Sequence, residues 1–181
     1  PTPNNYFSPI TLSMPLTIRT LPDENLRKQS TIVTKEDLQK PDLQVFIDAL
    51  IDAMKTYDGI GIAAPQVGNN ICIVVIDKDA FTRYTTKEGN IDPKTSVVLI
   101  NPTWERTSRK TNWDTEGCLS VPDTYGKVKR YTHITLSALT RDGIPVTIET
   151  SGTLARVIQH EVDHLDGILF VDKAKHVFTN K

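Results

Sequence analysis

The stretch Gln159-His160-Glu161-Val162-Asp163-His164-Leu165-Asp166-Gly167 constrains this chain more than any other, because it places H-E-x-x-H inside a helical pattern. Leu154, Val157, Ile158 and Leu165 recur at helical spacing, Ser151 or Thr153 is the expected cap, and Gly167 the left-handed stop. On such a helix His160 and His164 lie one turn apart on the same side. One divalent metal can then bind both imidazoles, with Glu161 beside it to move protons. The plain alternative is a pair of surface histidines bonded to solvent or neighbouring acids, so the rest of the chain has to supply the missing ligands.

A chain of 181 residues is expected to make one domain, 1–181, with a core of its own. Its 38% hydrophobic and 24% charged residues exclude a disordered or membrane-embedded class, and a net charge of -1 gives no electrostatic case for nucleic acid or an anionic membrane, local basic patches aside. Two cysteines, Cys72 and Cys118, are too few for a disulfide framework and fit a reducing compartment. The polar start shows no secretory signal, so the expected location is cytoplasmic. Because the chain begins at Pro1, an organellar location stays open if a leading segment was removed.

Residues 1–20 carry four prolines and read as an extended arm. Asp23 to Gln29 reads as a short helical turn that buries Leu26. Leu43, Phe46, Ile47, Leu50, Ile51 and Met54 predict a long amphipathic helix that starts at Pro41-Asp42 and stops at Asp58-Gly59. Gly59 to Gly68 is too small and kinked for regular structure, and its glycines admit a close backbone approach. Ile71–Ile76 and Val97–Ile100 read as buried strands, the second closed by Asn101-Pro102. Asp77 to Thr95 reads as a surface loop, and Thr107 to Asn112 as a hairpin turn. Ile134, Leu136 and Ala138, then Val146 and Ile148, alternate about Arg141-Asp142-Gly143 as a hairpin. The tail, 173–181, reads as loose. The fold class implied is α+β, with mostly antiparallel sheets packed around a central metal-binding helix.

Zinc peptidases take their third ligand from a Glu or His beyond this helix, but Glu161 is the last glutamate, and His176 lies near a polar terminus. Upstream, Cys118 sits in Glu116-Gly117-Cys118-Leu119-Ser120, where a thiolate could complete a His, His, Cys set and leave a fourth position for water. The plain reading of a lone cysteine is a small buried hydrophobe.

Three motifs, Gly59-Ile60-Gly61-Ile62-Ala63-Ala64-Pro65-Gln66, Glu116-Gly117-Cys118-Leu119-Ser120 and Gln159 to Gly167, together resemble the peptide deformylase family in order and separation. The resemblance runs from about Leu16 to Asp172. It implies that Cys118, His160 and His164 hold the metal, with water fourth, and that this water attacks the formyl carbon of N-formylmethionine on new polypeptides to release formate. Glu161 is then general base and acid, while the Gln66 side-chain amide and the Leu119 N–H bind the oxyanion. Gly61 would pair with substrate backbone, Ile60 and Val157 would wall the methionine pocket, and Glu116, at the substrate site, would brace it, bonded to Gln66 or ion-paired with Arg130. Arg130 and Asp163 would stand behind the ligands.

The implied metal is Fe²⁺ in cells, with Zn²⁺, Ni²⁺ or Co²⁺ possible in preparations, and a transient ribosome contact belongs to the same expectation. No membrane and no direct nucleic-acid site are expected. Two departures bear on peptide preference. Tyr125 stands where many bacterial members have arginine, and Arg156 and Asp114 stand where some have apolar residues, with Arg156 expected to pair with Asp114. A metallopeptidase, or an inactive metal-binding homologue, remains the alternative.

Overall fold

The computed structural model describes residues 15–180, so most of the expected arm lies outside the described residues. The continuous apolar run near Ile73 marks the centre of the molecule. Strand β2 (Ile73–Ile76) is buried along its whole length, and successive side chains point to opposite faces. Ile73 and Val75 meet Leu43, Ile47 and Leu50 in one cluster, while Val74 and Ile76 meet Leu154, Val157 and Ile158 in another. A strand covered on both faces has no polar side to show, hence the absence of alternation.

The helices covering those two faces are α2 (Pro41–Thr56), preceded by the single turn α1 (Lys35–Leu38), and α3 (Thr153–Leu165). The sheet between them has six antiparallel strands in the order β1-β2-β4-β7-β8-β3, where β1 is Gly61–Ala63, β3 Tyr84–Glu88, β4 Val97–Arg106, β7 His133–Leu139 and β8 Pro145–Ser151. A second sheet has the order β5-β6-β9, with β5 Thr111–Cys118, β6 Val121–Tyr131 and β9 Lys175–Thr179. One face of it covers Leu169 and Phe170 at the short helix α4 (Phe170–Lys173). The architecture is α+β with antiparallel sheets about α3, as the sequence implies.

Several expectations need correction. Gly59 to Gly68 is partly regular, because Gly61–Ala63 pairs with β2 and Ala64–Val67 makes one 3-10 turn. Asp77 to Thr95 contains β3, a mostly exposed edge strand paired to β8; without a buried face it has no periodicity to read. Asn101 does not end β4. It takes φ 50°, the ladder shifts between Ile100 and Thr103, and the strand runs on to Arg106. Thr107 to Asn112 is no hairpin, since β4 pairs with β7 and β5 with β6, so this segment carries the chain from one sheet to the other. The tail is the edge strand β9. Finally, neither Ser151 nor Thr153 caps α3: the N-cap is Gly152 at φ 69°, and no side chain bonds there. Gly167 does take φ 70°, against the Arg27 backbone.

Candidate metal centre and active site

Helix α3 differs from an ordinary core helix in what it buries. Beside Leu154, Ala155, Val157, Ile158 and Leu165 it buries Gln159, Glu161, Asp163 and His164. Buried polar groups are costly unless bonded, so each needs a partner. The Gln159 amide supplies its own anchorage, as Nε2 donates to the Tyr131 and Ala155 carbonyls and Oε1 accepts from the Tyr131 N–H. These bonds fasten the helix to the end of β6.

The three expected ligands come together. One donor atom from each of Cys118, His160 and His164 lies within 4.8 Å of the others, and the Cys118 Sγ is 3.3 Å from His164 Nε2. Cys118 ends β5, where the ladder to β6 shifts, so the thiol is brought over the helix by a strand end and not by burial in a core. Glu116, two residues earlier on the same face, accepts from His160 Nδ1 at 2.9 Å and leaves Nε2 of that ring for the centre. A thiol and two imidazoles within bonding reach of one point suit a divalent transition metal. Two buried atoms, His164 Nδ1 and Glu161 Oε2, have no partner among the described residues. The donor set fits a metal, and Glu161 lines the same cleft as Cys118 and His160.

Glu116 is the hub behind this centre. Arg130 donates to both its oxygens, Nε to Oε1 at 3.0 Å and Nη2 to Oε2 at 2.9 Å, and Arg156 Nη1 reaches Oε1 at 2.6 Å. Arg130 also bonds Asp163, which Lys173 Nζ meets at 2.7 Å. Burial pushes the Glu116 carboxyl up, but the His160 and Arg130 hydrogen bonds outweigh it and hold the group well below the usual carboxylate range. Of its two expected partners Glu116 bonds Arg130 and not Gln66, and it also lines the cleft beside His160. Arg156 likewise does not pair with Asp114. Its remaining donors go to the Val128 carbonyl and to Asn112, so its charge is turned inward.

On the other side, the Ala63 N–H donates to Gln66 Oε1 at 2.8 Å, and this fixes the amide so that Nε2 faces Ser120 Oγ at 3.2 Å and Cys118 Sγ at 3.5 Å. Ser120, fully buried, is a partner of Gln66 that the sequence reading missed, although it closes the second motif. Lys173 was missed because it lies on α4, ten residues from the acid it meets. Gly61 packs directly on Glu161, where a Cβ would come within 2.6 Å of Oε1. Burial pushes the Glu161 carboxyl up to about 7, with the nearby His160 charge opposing and the Glu116 charge adding.

A cleft of about 900 Å³ opens onto these groups, lined by Ile60, Gly61, Gln66, Cys118, Leu119, Val157 and Glu161 among others. Both strands beside it are sheet edges among the described residues, β1 of the larger sheet and β5 of the smaller. Ile60 is 46% exposed at the rim and Val157 is buried in the wall.

A family model described as polypeptide deformylase matches residues 15–179. Peptide deformylase 2 of Vibrio vulnificus (strain CMCP6) is 46% identical over 158 residues, covering 87% of this chain and 84% of that protein. Peptide deformylase 1 of Clostridium acetobutylicum is 44% identical over 156 residues, 86% of this chain and 92% of its own length. Among solved structures, a peptide deformylase from Synechococcus elongatus in complex with actinonin superposes with TM-score 0.76 at 37% identity, covering 91% of this chain and 81% of that one. The class I type b enzyme of Acinetobacter baumannii with bound Met-Ala-Ser gives TM-score 0.76 at 32% identity, covering 89% and 99%. A match over nearly every described residue, joined to a Cys, His, His centre beside a buried glutamate, carries one conclusion: this chain belongs to the polypeptide deformylase family, hydrolases that remove the formyl group from N-terminal methionine.

Proposed function

We propose that the chain, as a single catalytic domain, removes formyl from the N-formylmethionyl end of nascent polypeptides, with Cys118, His160 and His164 as metal ligands. The observation carrying this reading is the meeting of those three donors beside buried Glu161 at the floor of a cleft between two strand edges. A divalent metal there supplies Lewis acidity, lowering the pKa of water enough to give a nucleophile near neutrality. Glu161 takes the remaining proton of the attacking water and passes it to the departing methionine amine, a role suited to a buried carboxylate with one oxygen free of other partners among the described residues. The Gln66 Nε2–H and the Leu119 N–H receive the charge that develops on the formyl oxygen, each donor contributing roughly a hundredfold or more. Formate and the free amino terminus are the products.

The peptide lies as an added strand between β1 and β5, where Gly61 offers backbone without a side chain. Ile60 and Val157 flank the methionine side chain. Asp163 holds Arg130, Arg130 holds Glu116, and Glu116 holds His160. Fe²⁺ is the metal proposed in cells. Zn²⁺, Ni²⁺ and Co²⁺ accept the same nitrogen and sulfur donors and can occupy the site in preparations. The proposed location is cytoplasmic, with transient access to chains leaving the ribosome. Among the described residues no helix is long and apolar enough to cross a membrane.

Protein loaded anaerobically with Fe²⁺ and given formyl-Met-Ala-Ser or unformylated Met-Ala-Ser separates this reading from a peptidase. Formate from the first and no cleavage of either peptide bond is the expected result. Cleaved peptide without formate would reverse the assignment. Repeating the assay with Zn²⁺ measures metal preference.

A further inference from the structure

The three-stranded sheet has one face against α3 and α4 and another that no described element covers. Register separates them. Asn112, Asp114, Glu116, Val128 and Arg130 share the inner face with the site, and the intervening residues share the outer one. On that outer face Trp113 pairs across with Lys129, Lys127 with Lys175, and Tyr125 with Phe178. Trp113 and Phe178 are 45% and 46% exposed, the three lysines are exposed, and none of the three is in an ion pair among the described residues. The aromatics are already ordered: the Lys175 ammonium sits 5.2 Å from the Trp113 ring centroid, and Tyr125 stacks on Phe178 at 5.8 Å. At the far end Arg106 lies over the Tyr131 ring. None of the three lysines has a carboxylate as its partner across the ladder.

An exposed sheet face that interleaves flat aromatic rings with unpaired cations has two complementary needs, a partner with π-faces and a partner with regularly spaced negative charge. A single-stranded nucleic acid meets both, since bases stack on the rings while phosphates meet the lysines. An acidic peptide or an anionic lipid surface meets only the second. We propose that the outer face of β5-β6-β9, centred on Trp113, Lys127, Lys129 and Lys175, binds single-stranded RNA. Tyr125 borders the cleft, but Trp113, Lys127, Lys129 and Lys175 do not line it, so RNA held on those four residues leaves the metal centre accessible to a peptide. The proposal stands independently of the reaction assigned to the cleft.

The test is titration of metal-loaded protein into a fluorescently labelled oligouridylate of about 12 nucleotides, read by anisotropy, with tryptophan emission followed in parallel. Binding is expected at low salt, and neutralising three lysines predicts a log–log salt slope of about −2 for a single strand. The double variant Lys127→Glu/Lys129→Glu should weaken binding by tenfold or more, on the order expected from loss of two phosphate contacts, while turnover of formyl-Met-Ala-Ser stays at the wild-type rate. Trp113→Ala should cost about tenfold and abolish the RNA-induced change in emission. If the Glu variant fails to fold, Lys127→Gln/Lys129→Gln serves, with a salt slope of less than about half the wild-type value. No binding at low salt would overturn the proposal. So would unchanged affinity in the folded lysine variants, or displacement of the RNA by polyglutamate or anionic vesicles at equal charge.

Discussion

Helices α2 and α3 flank the same sheet and present comparable apolar stripes to it, yet they are built for different ends. Every residue that α2 buries is apolar: Leu43, Phe46, Ile47, Leu50, Ala53 and Met54. Helix α3 buries a similar stripe and adds Gln159, Glu161, Asp163 and His164. The first helix contributes stability through surface removed from water. The second contributes less, since its buried charges must be desolvated and then held by Arg130, Glu116 and Lys173, and Glu161 Oε2 is left without a partner. A helix that carries chemistry is thus stabilised by its neighbours more than by itself, and this difference can be broken at either helix.

The largest stability effect is expected where a buried charge network loses its cation. Arg130→Met leaves Glu116 and Asp163 short of their shared partner, and should cost about 3–5 kcal/mol in urea unfolding. A loss under about 1 kcal/mol would mean that Arg156 and Lys173 hold the two acids without it. Next in size is Leu50→Ala in α2, fully buried, at about 2–5 kcal/mol, with formate release per folded molecule unchanged. A fall in turnover as large as the fall in stability would show that α2 is coupled to the site after all.

The third effect changes with pH and is absent once Glu161 has lost its proton. In metal-free protein the Glu161 carboxyl has its folded pKa raised from 4.5 to about 7 by burial, with the His160 charge opposing. A group that holds its proton more tightly when folded contributes stability below its unfolded pKa, and loses it as pH rises through the folded value. Wild-type stability relative to Glu161→Gln should therefore decline between pH 4.5 and about 7 and then level off. Parallel profiles for the two proteins would show that Glu161 is not desolvated as described.

The same comparison explains what was legible in the sequence. Helix α2 and the β7–β8 hairpin were readable because each has one buried face, and so a period. H-E-x-x-H was readable because its spacing is that of one helical turn, the search for a third ligand pointed to Cys118, and the likeness of three motifs to a known family chose Cys118 over a plain core reading and supplied Gln66. Strands β3 and β9 were hidden because edge strands exposed along most of their length carry no alternation. The Thr107–Asn112 segment misled because a polar connection between sheets has the composition of a hairpin turn. The direction of Arg156 was not readable at all. Its partners Glu116, Asn112 and Val128 lie 28 to 44 residues away, and only the tertiary structure brings them nearer than Asp114.

The central claim is that α3 gives up stability so that Glu161 can move a proton beside the metal. It is tested most directly by measuring formate release and bound metal in the same preparations of wild type and Glu161→Gln. The expected result is equal metal content and an intact fold, with formate release from formyl-Met-Ala-Ser reduced by about 10²–10⁴-fold in the variant. Turnover within a few-fold of wild type at equal metal content would contradict the role given to Glu161.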